Sequence, residues 1–306
     1  MRLTSFTNDA DAVWLKGNIH CHSTFSDGKL SLDMLKYSYK HHGYQFLAVT
    51  DHERFTDCQS LTEQDFTMLN GAEITGYTYN EKRIHINVFW HDEIMKLENG
   101  HTYKLENGAQ TTKLLQELKQ KGCYIMLNHP HWSMIQSADV LAAQEYDAVE
   151  IYNYSTEWIE NMGESSIFWE ELLSRGKCLW GGGSDDNHNR YEMDSLYCDS
   201  FGGFTVVKAK NKTDKAIFEA LKTGSFYTST GPEIYDFYVE DDTVHVKCSP
   251  CKRIFINGNA RQYQRVLGKY ITEFTAKLNG SEMFIRAECM DEAGRTAYTN
   301  PIFLNR

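Results

Sequence analysis

The sequence predicts an α/β protein: a parallel sheet that closes as a barrel, followed by a small antiparallel β-sandwich-like domain. Three observations predict it. From Val13 to about Thr230 short β-rich runs alternate with amphipathic helical stretches, those runs number seven, and after Gly231-Pro232 the alternating runs continue without helices. The seven runs are WLKGNIHCHS, YQFLAVTDHE, FTMLNGAEIT, RIHINVFW, CYIMLNHP, DAVEIYN and KCLWGGGSDD. Helical pattern fills Leu32 to His42, Thr111 to Lys121 and Trp158 to Ser174; Gly122 and Gly176, beside basic residues, close the last two as helix C-termini. Between Met95 and Gly108 the string KLENG occurs twice, and its Asn-Gly pairs read as tight turns in a surface excursion. Beyond Pro232 the runs IYDFYVEDDTVHVKCS, RIFINGN, TEFTAKLNG, EMFIRAECMDEAG and TAYTNPIFL are bounded by Gly, Asn and Asp. The expected domains are 1–231 and 232–306.

Composition narrows the function classes. Among 306 residues, 31 Lys and Arg stand against 42 Asp and Glu, a net charge of -11 with no basic stripe, which argues against a nucleic-acid footprint. No window reaches the ~18 apolar residues that span a bilayer, and MRLTSFTNDADAVWLKG lacks a signal-peptide pattern, so a cytoplasmic location is expected. The eight cysteines are scattered, which favours reduced thiols. Cys248-Ser-Pro-Cys251 has no second pair to complete a zinc site and reads as a turn between strands; His245, alone in an alternating strand, reads as structural.

The chemistry lies in nine residues: His20, His22, Asp27, His52, Glu73, His85, His129, Asp186 and His188. Imidazole nitrogen and carboxylate oxygen suit borderline divalent ions such as zinc, manganese or iron, and nine ligands exceed what one four-coordinate ion uses. His20-Cys21-His22 puts two imidazoles on one side of a strand. His52, Glu73, His129 and Asp186 also fall at or just beyond the C-terminal ends of their runs, the face that carries the site in α/β barrels; His85 lies within its run. Glu73 has two oxygens able to bridge two cations. A multinuclear hydrolase site is the expectation.

The order HxH, SDG, TDH, GAE, a following strand His, NHP and DxH is similar to that of the PHP (polymerase and histidinol phosphatase) superfamily of metal-dependent phosphoesterases, over about Leu15 to Tyr191. GSFYTSTGPEI, CSP and AYTNPIF resemble the C-terminal portion of stand-alone bacterial PHP-domain proteins. The resemblance implies a distorted (β/α)7 TIM-like barrel and three divalent ions. His20, His22, Glu73 and Asp186 would hold one ion; Glu73, His85 and His129 a second; Asp27, His52 and His188 a third. The DxH spacing selects Asp186 and leaves Asp185 to orient a ligand imidazole.

Hydrolysis by a metal-bridged hydroxide follows from such a centre, and neither a Ser elbow nor a His-activated Cys offers a covalent route. Arg190, two residues past His188, is the candidate substrate-phosphate contact, and His131 a candidate acid for the leaving group. Asp51 is the other catalytic candidate, more as an orienting residue for His52 than as a proton shuttle. The expected substrate is a small phosphorylated molecule such as a nucleotide, nucleoside bisphosphate or sugar phosphate. The alternatives are carbamate, amide or carboxylic ester hydrolysis at the same centre, and a non-catalytic, metal-stabilised binding module.

Overall fold

The computed structural model describes residues 2–91, 100–259 and 263–304. Its first third contains β1 (Leu3–Thr4), β2 (Val13–Asn18), α1 (Leu32–His41), β3 (Phe46–Val49), β4 (Thr67–Tyr77) and β5 (Arg83–Trp90). Then come α2 (Gly108–Lys121), β6 (Tyr124–Leu127), α3 (Ser137–Val140), β7 (Ala148–Asn153), α4 (Tyr154–Glu160), α5 (Ser166–Ser174) and β8 (Trp180–Ser184). The remainder is β9 (Phe204–Ala209), α6 (Asp214–Thr223), β10 (Phe226–Ser229), β11 (Ile234–Glu240), β12 (Thr243–Gly258), β13 (Tyr263–Lys277), β14 (Phe284–Met290), β15 (Thr296–Thr299) and β16 (Ile302–Phe303). The result is a mixed α/β fold on one large sheet.

Each of the seven predicted runs contains one strand, in the spatial order β2, β3, β4, β5, β6, β7, β8. The sheet is not wholly parallel, as the alternation had implied. β2, β3 and β4 are parallel, as are β6, β7 and β8, but β5 is antiparallel to both of its neighbours. Only residues 78–82 join β4 to β5, too short a stretch for a crossover, so the pair closes as a hairpin. This places the start of β5 at the end of the sheet where β3, β4 and β6 finish.

The run curves until its ends meet. β9 pairs antiparallel with β2, and β8 returns against β9 and β10 through side chains. Thr205 Oγ1 donates to the Gly183 carbonyl at 2.8 Å and accepts from its N–H at 3.2 Å, while Thr228 Oγ1 donates to the Gly181 carbonyl at 2.8 Å. The glycine run of β8 permits this approach. A Cβ on Gly183 would lie 2.2 Å from Thr228 Cγ2.

Strand alternation sorts the core. Phe46, Ala48, Leu69, Phe89, Tyr124, Met126 and Ala148 fill the inside, together with Ile217, Phe218 and Leu221 of α6. Ile74, Ile86, Ile125, Leu127, Val149 and Ile151 face outward onto α2 and α5, where Trp169 is fully buried. The α6 helix packs among the interior residues, and Lys222 near its end bonds the Cys123 carbonyl and Asp147, just before β6 and β7. It therefore lies at the end where the parallel strands begin, away from their C-terminal ends.

Helix ends follow local chemistry. Asn107 caps α2 by accepting from the Gln110 N–H at 3.0 Å, so the second KLENG starts a helix rather than forming a surface turn; the first copy up to Asn99 lies outside the described residues. The single helix expected over Trp158 to Ser174 is two, broken at Asn161, whose φ of 57° is left-handed. After Pro232 the strands are antiparallel and continue the same sheet through β10 and β15. Asp241 and Asp242, with φ of 48° and 58°, form the two-residue turn joining β11 to β12. Cys248 and Cys251 sit not in a turn between strands but at an irregularity inside β12, with sulfurs 3.9 Å apart. His245 stacks on Tyr238, ring centroids 4.5 Å apart.

Candidate metal centre

Backbone hydrogen bonds gather the loops beyond the strand ends. Asp186 N–H donates to the His20 carbonyl at 2.9 Å, His22 N–H to the Asn187 carbonyl at 3.1 Å, Thr50 N–H to the Cys21 carbonyl at 2.9 Å, and Lys29 N–H to the His188 carbonyl at 2.9 Å. Segments far apart in sequence thereby present their side chains to one point. Glu73 occupies that point, on β4 beyond its parallel pairing with β3, which ends at Asn70. His85 joins because β5 is reversed: its third residue lies at the same end, and the Asn128 N–H donates to the His85 carbonyl at 3.0 Å, setting His129 alongside.

The two oxygens of Glu73 face different imidazoles. Glu73 Oε1 lies 3.3 Å from His20 Nε2, 3.2 Å from His85 Nδ1 and 3.3 Å from His129 Nε2. Its Oε2 lies 3.3 Å from His22 Nε2 and 3.0 Å from His52 Nδ1. Asp186 Oδ1 is 3.2 Å from His20 Nε2 and 3.0 Å from His22 Nε2. Asp27 Oδ1 closes the outer side, 3.3 Å from His188 Nε2 and 3.7 Å from His52 Nε2. All nine candidate residues are thus in one cluster.

Donor atoms converge in three groups: His20, His22, Glu73 and Asp186; His22, Asp27, His52 and His188; and His52, Glu73 and His85. The first equals the set the resemblance implied. In the others His52 turns its Nδ1 to Glu73 and its Nε2 to Asp27, so it borders two groups, while His129 approaches Glu73 without entering the His85 group. Three buried atoms here have no hydrogen-bond partner: His20 Nε2, Glu73 Oε2 and Asp27 Oδ1. Buried polar atoms are normally paired, and nitrogen and oxygen atoms left open toward a common point fit a divalent cation.

The residues around them serve as supports. Asp51 is buried and accepts from Ser23 N–H at 2.8 Å, Ser23 Oγ at 2.7 Å, Ser26 Oγ at 2.7 Å and Thr56 Oγ1 at 2.9 Å, so it fastens the His22–Asp27 loop. Asp185 likewise accepts from Tyr39 and from the N–H groups of Phe201, Gly202 and Gly203; it does not touch a ligand imidazole. His131 is not brought to the cluster. The backbone turns at His129, where φ is 25°, and His131 faces a separate cavity with Ile135 and Gln136, leaving Trp132 beside His129 at 5.0 Å. Arg190 lies at the mouth, its Nη2 3.1 Å from Asp27 Oδ2.

A cavity of about 330 Å³ opens over Glu73, walled by Trp132, Tyr191, Tyr197, Glu160, Asp199 and Arg190. Sequence reading missed most of that wall, which has no motif. It also missed Asn128, whose Nδ2 donates to Glu73 Oε1 at 2.8 Å, although the NHP string pointed to its neighbour.

Without a metal, the cluster is a set of ion pairs. Burial opposes charge on His22, but its hydrogen bond to Asp186 and the adjacent Glu73 carboxylate hold its pKa at about 9; His20 is raised well above its ordinary range, against burial, by Asp186, Glu73 and Glu150. Glu73 is held well below its ordinary range, again against burial, by His20 and His85. A raised His22 contributes stability that is complete below its ordinary 6.5 and lost as pH rises through about 9, whereas the depressed Glu73 contributes above 4.5 and loses its share in acid. Chelator-treated protein should therefore melt at progressively lower temperature from pH 6.5 to 9. A thermal series showing a flat or rising melting temperature over that window would contradict the ion-pair account.

No family model matches the sequence, and no curated protein matches it. Among solved structures, a two-domain protein from Bacteroides vulgatus containing a predicted PHP-like metal-dependent phosphoesterase superposes with a TM-score of 0.54 at 15% identity, covering 94% of each chain. The two chains share a fold. That likeness extends to the strands after Pro232, since the coverage leaves little of either chain unmatched. Weaker similarities, too distant to bear on the fold, are to a candidate metal-dependent phosphoesterase from Bifidobacterium adolescentis (TM-score 0.40, 14% identity, 68% of this chain and 96% of that one) and an amidohydrolase from Chromobacterium violaceum (0.39, 14%, 56% and 87%). Among the described residues no helix is long and apolar enough to cross a membrane.

Proposed function

We propose that the chain is a metal-dependent phosphoesterase of the PHP type, hydrolysing a small phosphorylated molecule such as a nucleotide, nucleoside bisphosphate or sugar phosphate. The curved sheet is read as the distorted (β/α)7 barrel, with 232–306 as an appended β domain. One observation carries the proposal: a fully buried carboxylate, Glu73, turns one oxygen to His20, His85 and His129 and the other to His22 and His52. That is how a bridge between neighbouring cations is built.

Three ions, zinc, manganese or iron, are assigned to His20, His22, Glu73 and Asp186; to Glu73, His85 and His129; and to Asp27, His52 and His188, with His52 also within reach of the Glu73–His85 group. Bound there, they supply Lewis acidity and lower the pKa of water toward neutrality. The protein's own part is placement. Glu73 and Asp186 carry negative charge to the centre, Trp132 walls off solvent with its Nε1–H bonded to Glu160 at 2.6 Å, and Arg190 meets the substrate at the mouth. With its guanidinium forked onto a phosphate oxygen, Arg190 contributes a charge-assisted hydrogen bond of roughly 1.5–3 kcal/mol. Arg190→Ala should therefore lower kcat/KM about 10- to 100-fold on a phosphomonoester, mainly through KM.

A specific observation favours a second reading, hydrolysis of a carbamate, amide or carboxylic ester. Among the described residues lining the cavity, Arg190 is the one Lys or Arg, and Asp27 already engages it. The two readings separate on one experiment. Protein reloaded with zinc or manganese is assayed on phosphomonoesters and on aryl carbamates, esters and amides; phosphomonoester turnover supports the first reading, turnover of only the others supports the second, and no turnover on any overturns both.

A further inference from the structure

Strand β7 lies between β6 and β8, yet contributes none of the nine candidate ligands. What it carries instead is Glu150 and Asn153, both fully buried and both turned toward the cluster. In a regular strand residues three apart face opposite sides. Here the pairing of β7 with β8 shifts register between Glu150 and Tyr152, and this irregularity lets both side chains point the same way.

Every acceptor position of Glu150 is used. Oε1 lies 2.8 Å from His20 Nδ1 and also accepts from Ser184 Oγ; Oε2 accepts from the His129 N–H at 2.8 Å and from Asn153 Nδ2 at 3.0 Å. Asn153 Nδ2 also donates to Asp186 Oδ2 at 3.0 Å, while its Oδ1 accepts the Thr156 N–H at the start of α4. His129 and Asp186 are the two candidate ligands in left-handed backbone, with φ of 25° and 53°, a conformation that L-residues keep only when the surroundings enforce it. Both are tied to this one pair.

We propose that Glu150, supported by Asn153, is the positioning residue of the centre: it holds the His20 proton on Nδ1 so that Nε2 faces Glu73 and Asp186, and it anchors His129 and Asp186. The inference rests on the metal reading above. A carboxylate behind a ligand imidazole fixes the tautomer and ring orientation, and losing such a partner typically weakens metal binding 10- to 100-fold. Glu150→Gln is a stringent change, because the amide offers a donor to a group that now receives four.

The test uses the full chain loaded with zinc and labelled with nitrogen-15 histidine. Ring-nitrogen NMR should show His20 protonated at Nδ1 in the native protein. Competition with a chromophoric chelator should show Glu150→Gln binding zinc about 10- to 100-fold more weakly, with the His20 Nδ1–H signal shifted or lost. A proton on Nε2 of native His20 overturns the proposal even if the variant fails to fold. So does a folded Glu150→Gln with native zinc affinity and an unchanged His20 signal. Failure of the metal reading is distinguishable, since the native protein would then take up no zinc at the cluster.

Discussion

Replacing Glu73 with Gln should reduce turnover about 1,000-fold or more and lower the metal content of the purified protein. Glu73 faces five imidazoles through two oxygens, so the amide removes the shared charge and presents an NH2 group to at least two of them. Loss of roughly 4 kcal/mol of transition-state stabilisation, a modest share of what metal centres supply, corresponds to three factors of ten in rate. Elemental analysis beside kcat on reloaded protein checks it, with circular dichroism confirming the fold. Turnover within tenfold of native would remove Glu73 from its bridging role.

Trp169→Ala should destabilise the protein by about 3–5 kcal/mol, as truncating a buried Trp does when the cavity cannot collapse. Trp169 is fully buried on α5, donates its Nε1–H to the Leu179 carbonyl at 3.0 Å, and fills the space over Gly181, whose added Cβ would be 3.0 Å from the indole. The guanidinium of Arg286 on β14 lies 5.0 Å from its ring, so one side chain joins α5, β8 and the C-terminal strands. Denaturant melts compare the midpoints. A loss below about 1 kcal/mol would mean that this packing is loose.

The strands and the nine residues were legible because the physics that places them is local. A β-rich run ending in His or Asp is readable without knowing its partners, and the converging histidines needed no tertiary information to be grouped. The direction of β5 was less accessible, since it depends on a short connection competing with a pattern that suits either direction. His85 looked out of place within its run for this reason, and the reversal explains it. The break at Asn161 was hidden because the apolar period runs through both α4 and α5. Asp51 looked like an orienting residue for His52, but its side chain bonds the Ser23 N–H and the hydroxyls of Ser23, Ser26 and Thr56. Glu150 closes the run DAVE and is visible there as a carboxylate, but its alignment with Asn153 depends on a register shift against β8, which has no signature in β7 itself. His131 misled because spacing of two places a side chain near its neighbour only on a continuing strand, and the chain turns at His129.

The most direct test of the central claim, that nine residues from seven segments form one multinuclear metal centre, is an anomalous-scattering map of crystals grown with manganese or zinc, measured at the metal edge. The account predicts separate peaks a few ångströms apart, with Glu73 between neighbouring ions and His20, His22 and Asp186 around one of them. A map without peaks at this cluster, from protein that turns over substrate, would contradict it.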